Sequence, residues 1–388
     1  MSIFHGIRVT EFTATKRTIA TVATAVIGLV VTAPLADAAL FPLNQPVRIA
    51  VLADAIAAAG ATGTMREALS AIADQVATSI VIVRVAPGAD AAATTTAVIG
   101  TDAAGVKTGM QALLAAQAQV GLHPRIIGAP GLDTEAVANA LAIVARKLRA
   151  MAYIAAVGAD RQAVATYRAK FAQRELMMIW PDFTAPTGLD GADVPSFAVA
   201  RALGLRAAID QTQGWHKTLS NTPVAGVDGL TKDVAFDLQD PDCDANILNA
   251  AGVTTIVRLN GDLRFWGNRT CAPVDGDFTF ESATRTAQIL ADSIVAGLIW
   301  AVDKPLVPSL ARDIVEIIND KFRSLKRAGL ILGAVAEYSA AKNTVDTLKA
   351  GKLTISYRYT PVPPLESLGL EQEITDEYFA DFATLATA

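Results

Sequence analysis

The segment Asn249–Thr270, NAAGVTTIVRLNGDLRFWGNRT, contains the clearest turn signal in the chain. It predicts a β-branched strand over Val253–Leu259 and a returning strand over Leu263–Trp266. The Asn260-Gly261 pair lies between them, and this pair readily takes the positive φ angles of a type I′ turn. The segment therefore predicts a β-hairpin, with a short helix ending just before it.

Upstream of the hairpin, apolar runs alternate with helical patterns. This alternation predicts an α/β fold with a parallel sheet and right-handed crossovers. The Ala/Thr-rich segment Ala89–Thr96 predicts a loop or linker. Strands are predicted at Ala25–Val31, Val47–Leu52, Ile80–Val85, Arg125–Ala129, Tyr153–Val157 and Leu176–Trp180, and helices near Thr64–Val76, from Asp133 or Thr134 to Leu148, Asp160–Gln173 and Val199–Gln213.

Downstream of the hairpin the pattern changes. Helices are predicted at Ser282–Val302 and Ser309–Ala328, the second with an apolar stripe along one face. A strand is predicted at Leu353–Thr360, and the prolines that follow it exclude its continuation in a central sheet. After Arg358 the sequence has acidic residues but no Lys or Arg, and its last residues carry too few apolar side chains to fold alone.

Composition limits the function classes. The chain has 388 residues, which predicts two or three packed units. Its residues are 52% hydrophobic and only 18% charged, which favours surface buried against partners. A net charge of −5 gives no general attraction to nucleic acid or to an anionic membrane. No apolar run reaches the roughly 18 residues of a membrane span. The two cysteines predict a reduced pair rather than a disulfide framework.

Several stretches of the sequence resemble the contractile tail sheath proteins of phages and R-type pyocins. They are the hairpin segment, GWHKTLSNTPVAGVDGLTKDV at Gly214–Val234, LTISYRYTPVPPLESLGLEQEITDEYF at Leu353–Phe379, and the N-terminal FHGIRVTE at Phe4–Glu11. The resemblance covers essentially the whole chain. It implies a structural subunit, not an enzyme, that polymerises helically around a tail tube and contracts to drive the tube through the target cell envelope.

The resemblance also implies partners and a location. The partners are further copies of the chain, a tail tube protein, and baseplate and tail terminator proteins, with no cofactor, metal, nucleic acid or stable membrane insertion. The location is the tail of a virion or a tail-like particle, assembled in the host cytoplasm without cleavage of a signal peptide.

A division into domains follows from the pattern and the resemblance together. We expect a multi-domain α/β protein whose middle domain has a parallel, subtilisin-like fold. The expected parts are an N-terminal arm (1–24), a small α/β region (25–92), the subtilisin-like domain (93–245), an α/β C-terminal sheath domain (246–362) and a C-terminal arm (363–388).

The two ends of the chain are candidates for contacts between subunits. From the residues alone, such ends either pair with the sheet edge of a neighbour or stay disordered. The resemblance implies pairing, with donor strands within Thr18–Val26 and Leu368–Thr375 and an acceptor that includes Leu353–Thr360. The candidate arm residues are Thr18, Ala20, Val22, Thr24, Leu370, Glu371, Glu373, Ile374 and Thr375.

Four basic residues lie in the last two turns of the second C-terminal helix. They are Lys321, Arg323, Lys326 and Arg327. Cations at this end complement the helix dipole, which is one explanation for the pattern. The resemblance adds a second, because a helix of the sheath contacts the tube largely through charge. We therefore expect these four residues to face an acidic surface of the tube.

The N-terminus contains a possible secretion signal. Lys16 and Arg17 precede the apolar run Ile19–Val31, and Ala36-Asp37-Ala38 fits a small-x-small cleavage pattern. The residues alone leave a signal peptide and an internal strand equally open. The resemblance includes residues before Lys16 and so favours no cleavage. A secreted or envelope α/β binding protein or hydrolase is the alternative.

Enzyme chemistry has little support in the sequence. The chain has three histidines, His5, His123 and His216, and no G-x-S-x-G nucleophile turn. The acidic run from Asp240 to Asn246 lacks the Gly and Glu of an EF-hand loop, so it predicts a polar loop that caps a helix at 246–251.

Overall fold

The computed structural model describes residues 18–187 and 192–379, which form an α/β protein. Its strands are β1 (Ile27–Thr32), β2 (Pro46–Ile49), β3 (Ile80–Val85), β4 (Asp102–Ala103), β5 (Val106–Lys107), β6 (Ile126–Gly128), β7 (Met151–Ala155), β8 (Leu176–Ile179), β9 (Phe183–Thr187), β10 (Ala192–Ser196), β11 (Gly229–Leu230), β12 (Thr255–Leu259), β13 (Asp262–Trp266), β14 (Gly333–Tyr338) and β15 (Ile355–Thr360).

Helices lie between most of these strands. They are α1 (Leu52–Ala58), α2 (Met65–Ala73), α3 (Ala91–Ile99), α4 (Ala116–Val120), α5 (Glu135–Leu148), α6 (Arg161–Arg168), α7 (Ala198–Thr212), α8 (Asp244–Ala250), α9 (Glu281–Leu298), α10 (Pro308–Arg327) and α11 (Val345–Lys349). Short 3₁₀ segments extend several of them.

The largest sheet has six strands in the order β2-β3-β1-β6-β7-β8. All neighbours in it are parallel except β2, which runs antiparallel to β3 at one edge. Side chains from alternate positions of β1 enter two separate apolar cores, with Leu29 on one face and Val30 on the other. Helices α2 and α7 cover the first face, and α5 covers the second.

The apolar run that resembles a signal peptide is part of this sheet. All six residues of β1 are buried, and the strand lies between β3 and β6. The cleavage-like Ala36-Asp37-Ala38 lies in the loop after β1. Arg84 holds that loop, because its buried guanidinium donates hydrogen bonds to the carbonyl oxygens of Phe41 and Ala33 at 2.6 and 2.9 Å. The apolar run is therefore an inner strand of the folded core.

The predicted hairpin is confirmed. Strands β12 and β13 pair antiparallel, and Asn260 and Gly261 have φ angles of 54° and 90°, as a type I′ turn requires. Three buried side chains of the hairpin, Ile256, Leu263 and Phe265, join the core of the large sheet. The hairpin, which the sequence assigned to the C-terminal sheath domain, thus packs on the six-stranded sheet and its covering helices, which together are called the sheet body below.

The C-terminal elements form a second packed unit. Helix α10 lies against the antiparallel pair β14–β15, and the predicted apolar stripe, including Ile314, Ile318 and Phe322, is buried there. Phe322 packs against Tyr357 of β15 with ring centroids 5.8 Å apart. Ile289 and Ile294 of α9 complete this core.

Two local predictions are wrong. The segment Ala89–Thr96 is mostly helix α3, because alanine favours helix and the Asp90 side chain caps it by accepting a hydrogen bond from the N–H of Ala93. The helix expected at 246–251 is α8, which begins two residues earlier. Its N-cap is Cys243, without a side-chain capping bond.

The sheet also crosses a predicted boundary. Strands β1 and β3 of the expected small region and strands β6 to β8 of the expected middle domain belong to one sheet. The division at residue 92 therefore separates neighbours in the same hydrogen-bonded ladder. Both cysteines are free and buried, as expected for a reduced pair. Burial raises the pKa of the Cys271 thiol to about 11.

Buried charges join α9 to the sheet body. Glu281 and Arg285 of α9 meet Arg206 and Asp210 of α7, and all four charged side chains are at most 2% exposed. Asp210 accepts hydrogen bonds from both arginines, and Glu281 accepts one from the Tyr153 hydroxyl. Burial disfavours the charge on Arg206, but Asp210 and Glu281 together raise its pKa above the usual value.

A second group of charges lies further along α9. Asp292 accepts hydrogen bonds from Arg125 and Arg149, and its side chain is 6% exposed. Burial, reinforced by the nearby Arg149 and Arg285, lowers the pKa of Arg125 to about 10. The helix thus contacts the sheet body through directional ion pairs at two places along its length.

We expect Asp210→Asn to lower the free energy of unfolding by ~3–5 kcal/mol, because two buried guanidinium groups would lose their carboxylate. Denaturant unfolding of the purified chain measures this loss. The matched control is Asp262→Asn, whose side chain is 54% exposed beside Arg264, so that this ion pair should contribute less than ~1 kcal/mol. Equal effects of the two substitutions would show that the buried network is not important for stability.

Candidate assembly surfaces

The N-terminal segment, residues 18–24, lies in a groove between α9 and α10. The Val22 N–H donates a hydrogen bond to Ser293 Oγ at 3.2 Å, and Lys321 Nζ donates one to Thr21 Oγ1 at 2.7 Å. The segment is extended here but belongs to no sheet of the described chain. Both C-terminal helices therefore hold the root of the expected N-terminal arm.

Ile19 anchors this root. Its side chain is 5% exposed and belongs to the C-terminal core. It lies directly against Gly297 of α9, where a Cβ atom would come within 2.6 Å of Ile19 Cγ1. Glycine in a helix normally costs stability relative to alanine. At this position it provides the notch that accepts Ile19.

The predicted N-terminal arm residues differ in exposure. Thr18 and Ala20 are exposed, whereas Val22 and Thr24 are half-buried on their own subunit. The expected donor strand thus begins as an intramolecular contact. Residues 1–17, which complete the expected arm, lie outside the described part of the chain.

The C-terminal segment leaves β15 and crosses the subunit surface. Ser282 Oγ donates a hydrogen bond to the Val362 carbonyl oxygen at 3.2 Å. The Arg269 guanidinium then donates two hydrogen bonds to the Glu366 carboxylate, at 2.8 and 2.7 Å. A bidentate pair of this kind fixes orientation as well as distance. This ion pair therefore fixes the direction in which the C-terminal segment leaves the subunit.

Beyond this clamp the chain turns its apolar side chains to solvent. Leu368, Leu370 and Ile374 are 71%, 86% and 92% exposed. The structure assigns no strand to this segment, but in an extended strand their even spacing would place them on one face, with Glu371 and Glu373 on the opposite face. The predicted residue Thr375 is also exposed. An amphipathic strand of this kind, with its apolar face uncovered, needs a surface to cover it.

The four basic residues at the end of α10 have different surroundings. Lys321 is engaged with Thr21, and burial lowers its pKa. Arg323 pairs within the helix with Glu316 and Asp320. Lys326 and Arg327 are exposed in the last turn. The structure thus places all four predicted residues on one helix, with Arg323, Lys326 and Arg327 exposed and Lys321 partly covered.

The carboxyl edge of the parallel sheet is where α/β proteins commonly bind ligands. Asp133 and Asp182 line one small cavity at this edge. Asp182 Oδ1 accepts a hydrogen bond from the Ala198 N–H at 2.8 Å, and Glu67 Oε1 accepts one from the Phe197 N–H at 3.3 Å. These two carboxylates therefore satisfy free N–H groups at the start of α7, which is a structural role.

His123 and His216 lie elsewhere. His123 precedes β6, at the amino edge of the sheet, and its Nε2 is 2.8 Å from the Leu148 carbonyl oxygen. Burial lowers the pKa of His123 and of His216. Neither ring is placed beside Asp133 or Asp182, so these groups form no catalytic triad. In the described residues no cluster of acidic, His and Cys side chains has the arrangement of a metal site.

No helix of the described chain combines the length and apolarity needed to cross a bilayer.

Family comparisons agree with this arrangement. Residues 24–85 match the model of the tail sheath protein Gp18 domain III N-terminal region, residues 105–271 match the phage tail sheath protein central domain, and residues 274–375 match the phage tail sheath C-terminal domain. The tail sheath protein of Escherichia phage P2 is 51% identical over 98% of both chains. The chain belongs to the phage tail sheath protein family.

Other similarities support the same assignment. The major tail sheath protein of Serratia phage KSP20 is 46% identical to this sheath protein over 100% of the chain and 99% of the relative. The fold matches the sheath of the extracellular contractile injection system PVC in its contracted state, with a TM-score of 0.72, 14% identity, and coverage of 97% and 99%. It matches the contracted helical sheath of the anti-feeding prophage with a TM-score of 0.71, 16% identity, and coverage of 96% and 98%.

The predicted function class is therefore confirmed. The chain is a structural subunit of a contractile tail sheath in the virion tail, not an enzyme. The alternative of a secreted binding protein or hydrolase is set aside. Sequence reasoning missed two contacts at the arm roots, Ile19 with Gly297 and Arg269 with Glu366. An isolated glycine in a helical pattern was the available signal for the first.

The protonation of Asp133, at the carboxyl edge of the sheet, can be tested. Both of its carboxylate oxygens are shielded from solvent, and the N–H of Ala155 only partly offsets the cost of burying them. Burial, with repulsion from Asp182, raises its pKa well above the usual range. The protonated carboxyl supports the fold below the unfolded-state pKa of ~4, and this support is lost as pH rises through the folded-state pKa.

We therefore expect Asp133→Asn to raise the free energy of unfolding at pH 7 by ~1 kcal/mol or more, and to leave it nearly unchanged at pH 4. Denaturant titrations at both pH values measure the difference. The control is Asp160→Asn at the N-cap of α6, where asparagine caps equally well. A stability gain that is the same at both pH values would contradict a raised pKa of Asp133.

Proposed function

We propose that this sheath subunit polymerises helically around a tail tube and that its two arms link it to neighbouring copies. The C-terminal segment 368–375 would pair with the sheet β14–β15 of another subunit, and the N-terminal arm would extend from its root at Ile19 to a second neighbour. The observation that carries this proposal is the exposed apolar face of Leu368, Leu370 and Ile374 beyond the Arg269–Glu366 clamp.

Strand donation suits a contracting lattice. Each main-chain hydrogen bond contributes only about 0.5–1.5 kcal/mol, so a joint of several residues is firm while its flanking chain stays adaptable. Contraction would release free energy stored in the extended lattice as subunits repack, driving the tube through the target cell envelope without nucleotide. Heterologous interfaces that do not close on themselves generate the required helix.

Several finer features belong to the same proposal. We place a subtilisin-like arrangement in the parallel part of the large sheet, and we retain the five parts as segments of the sequence, with the large sheet shared by the second and third. The baseplate and a tail terminator would cap the polymer at its two ends, as the similar sheath fold in the baseplate of the anti-feeding prophage suggests for the first. Assembly would take place in the host cytoplasm.

The arm proposal predicts which face of the strand is essential. We expect Leu370→Asp with Ile374→Asp to abolish sheath assembly, because charges would enter the contact that covers these side chains. Thermal stability of the free subunit should not change, since both residues are exposed. Electron microscopy of assembly mixtures with tube and baseplate gives the readout.

The control for this test is Glu371→Gln with Glu373→Gln on the opposite face, which should still form cylinders. If the doubly charged variant builds cylinders of normal length and number, segment 368–375 is not the donor strand.

We further propose that Lys326 and Arg327 face the tube. Substitution of both by Glu should prevent decoration of the tube but leave self-assembly of the sheath intact, and the wild-type contact should weaken with salt. Lys321 is left unchanged in this test because it holds Thr21. Arg312→Glu, at the exposed opposite end of α10, is the control. Normal decoration of tubes by the double variant would refute the assignment.

A further inference from the structure

The two outer edges of the sheet β14–β15 differ. In an antiparallel pair, alternate residues direct their N–H and C=O groups away from the neighbouring strand. Ala336 in the middle of β14 is opposite Tyr357 of β15. Both backbone polar groups of Ala336 are bonded outside the pair, so this residue marks the outer edge of β14.

Asn319 of α10 occupies that edge. Its Nδ2 donates a hydrogen bond to the Ala336 carbonyl oxygen at 2.9 Å, and its Oδ1 accepts one from the Ala336 N–H at 2.8 Å. The side-chain amide thus makes the two bonds that a residue of an added strand would make. Since one N–H donates a single strong hydrogen bond, a new strand cannot pair with Ala336 while Asn319 remains there.

The helix that carries Asn319 is firmly placed. Ile318 and Phe322 on either side of it are 2% and 1% exposed and pack into the C-terminal core. Ala336 itself is 3% exposed. The small side chains of β14 that face the helix allow α10 to approach closely enough for the amide to reach the strand.

The edge of β15 has no such cover. In the described part of the chain, no side chain hydrogen bonds to the backbone of Ile355, Tyr357 or Tyr359, the residues that face outward from the pair on this strand. Their side chains are half-buried against the C-terminal core. An open edge beside a partly covered apolar face is a site for strand addition.

The chemistry of this edge fits the C-terminal arm of a second copy. A strand added to β15 with Leu370 and Ile374 directed toward the core would place Glu371 and Glu373 on the other face. That face carries Arg358, whose side chain is 75% exposed and lies 3.3 Å from the Glu337 carboxylate, and Lys342, whose Nζ is 2.9 Å from Ser356 Oγ. Opposite charges on adjacent strands favour pairing.

We propose that Asn319 closes the edge of β14 and thereby directs the arm of a second copy to β15. Asn319 is a positioning residue, since it acts by occupying Ala336 rather than by touching the arm. This inference rests on the proposed strand donation. It adds the edge that accepts the strand and the residue that decides the choice.

Disulfide trapping in assembled sheaths tests the choice of edge. Val335 of β14 and Arg358 of β15 are paired in register, so Val335→Cys and Arg358→Cys place thiols at the same height on the two strands. A strand beside β15 lies ~5 Å from one and ~10 Å from the other. A disulfide needs Cβ atoms within ~4.5 Å, so only the adjacent strand is trapped.

Each variant is combined with Glu371→Cys or Glu373→Cys and assembled with tube and baseplate. The native Cys243 and Cys271 are buried and do not interfere. We expect at least about tenfold more intersubunit disulfide with Arg358→Cys than with Val335→Cys. A stronger link to Val335→Cys would overturn the proposal. Cylinders that give neither link would instead contradict strand donation itself.

A second experiment tests Asn319 directly. Asn319→Ala in the Val335→Cys chain should make the Val335 link detectable, because the N–H and the carbonyl oxygen of Ala336 are then free to bond an added strand. Asn319→Asp keeps the acceptor for the Ala336 N–H and should keep that link weak. Asp313→Ala, exposed on the same helix, is the control. If Asn319→Ala leaves the disulfide pattern unchanged, Asn319 does not guard the edge.

Thermal unfolding shows whether the Asn319→Ala chain folds. If it does not fold, disulfide trapping in the chains that keep Asn319 still decides which edge accepts the strand.

Discussion

The buried ion pairs along α9 determine how the C-terminal unit sits on the sheet body. Glu281, Arg285 and Asp292 each meet an oppositely charged group of the sheet body inside the protein. Apolar contacts alone tolerate sliding, whereas paired charges that lose water are costly to separate and have a preferred geometry. The same helix also carries the anchors of both chain ends, at Gly297 and Ser282. The exits of the two arms are therefore fixed relative to the main sheet.

Local sequence patterns were sufficient for much of the fold. The Asn260-Gly261 turn, the parallel strands from β6 to β8 and the apolar stripe of α10 follow from short-range rules of turn chemistry and periodicity. Strand β3 was predicted to the residue, because Ile80–Val85 is a β-branched run with clear ends. The apolar run at β1 was ambiguous, since a buried central strand and the core of a signal peptide have the same composition.

What the sequence did not reveal depends on contacts between distant residues. Arg269 and Glu366 are 97 positions apart, and nothing in either neighbourhood indicates the other. Lys321 was grouped with its basic neighbours, yet the fold brings it to Thr21. The candidate arm residues could be placed near the ends of the chain, but only the packed structure shows which parts of the arms are held by their own subunit.

The burial of the thiols has a consequence for the durability of the particle. Outside the reducing interior of a cell, oxidants attack the deprotonated sulfur of cysteine. Cys271 is 1% exposed, and with its pKa at about 11 it remains almost wholly protonated at neutral pH. Burial thus protects the sheath subunit from oxidation at this position.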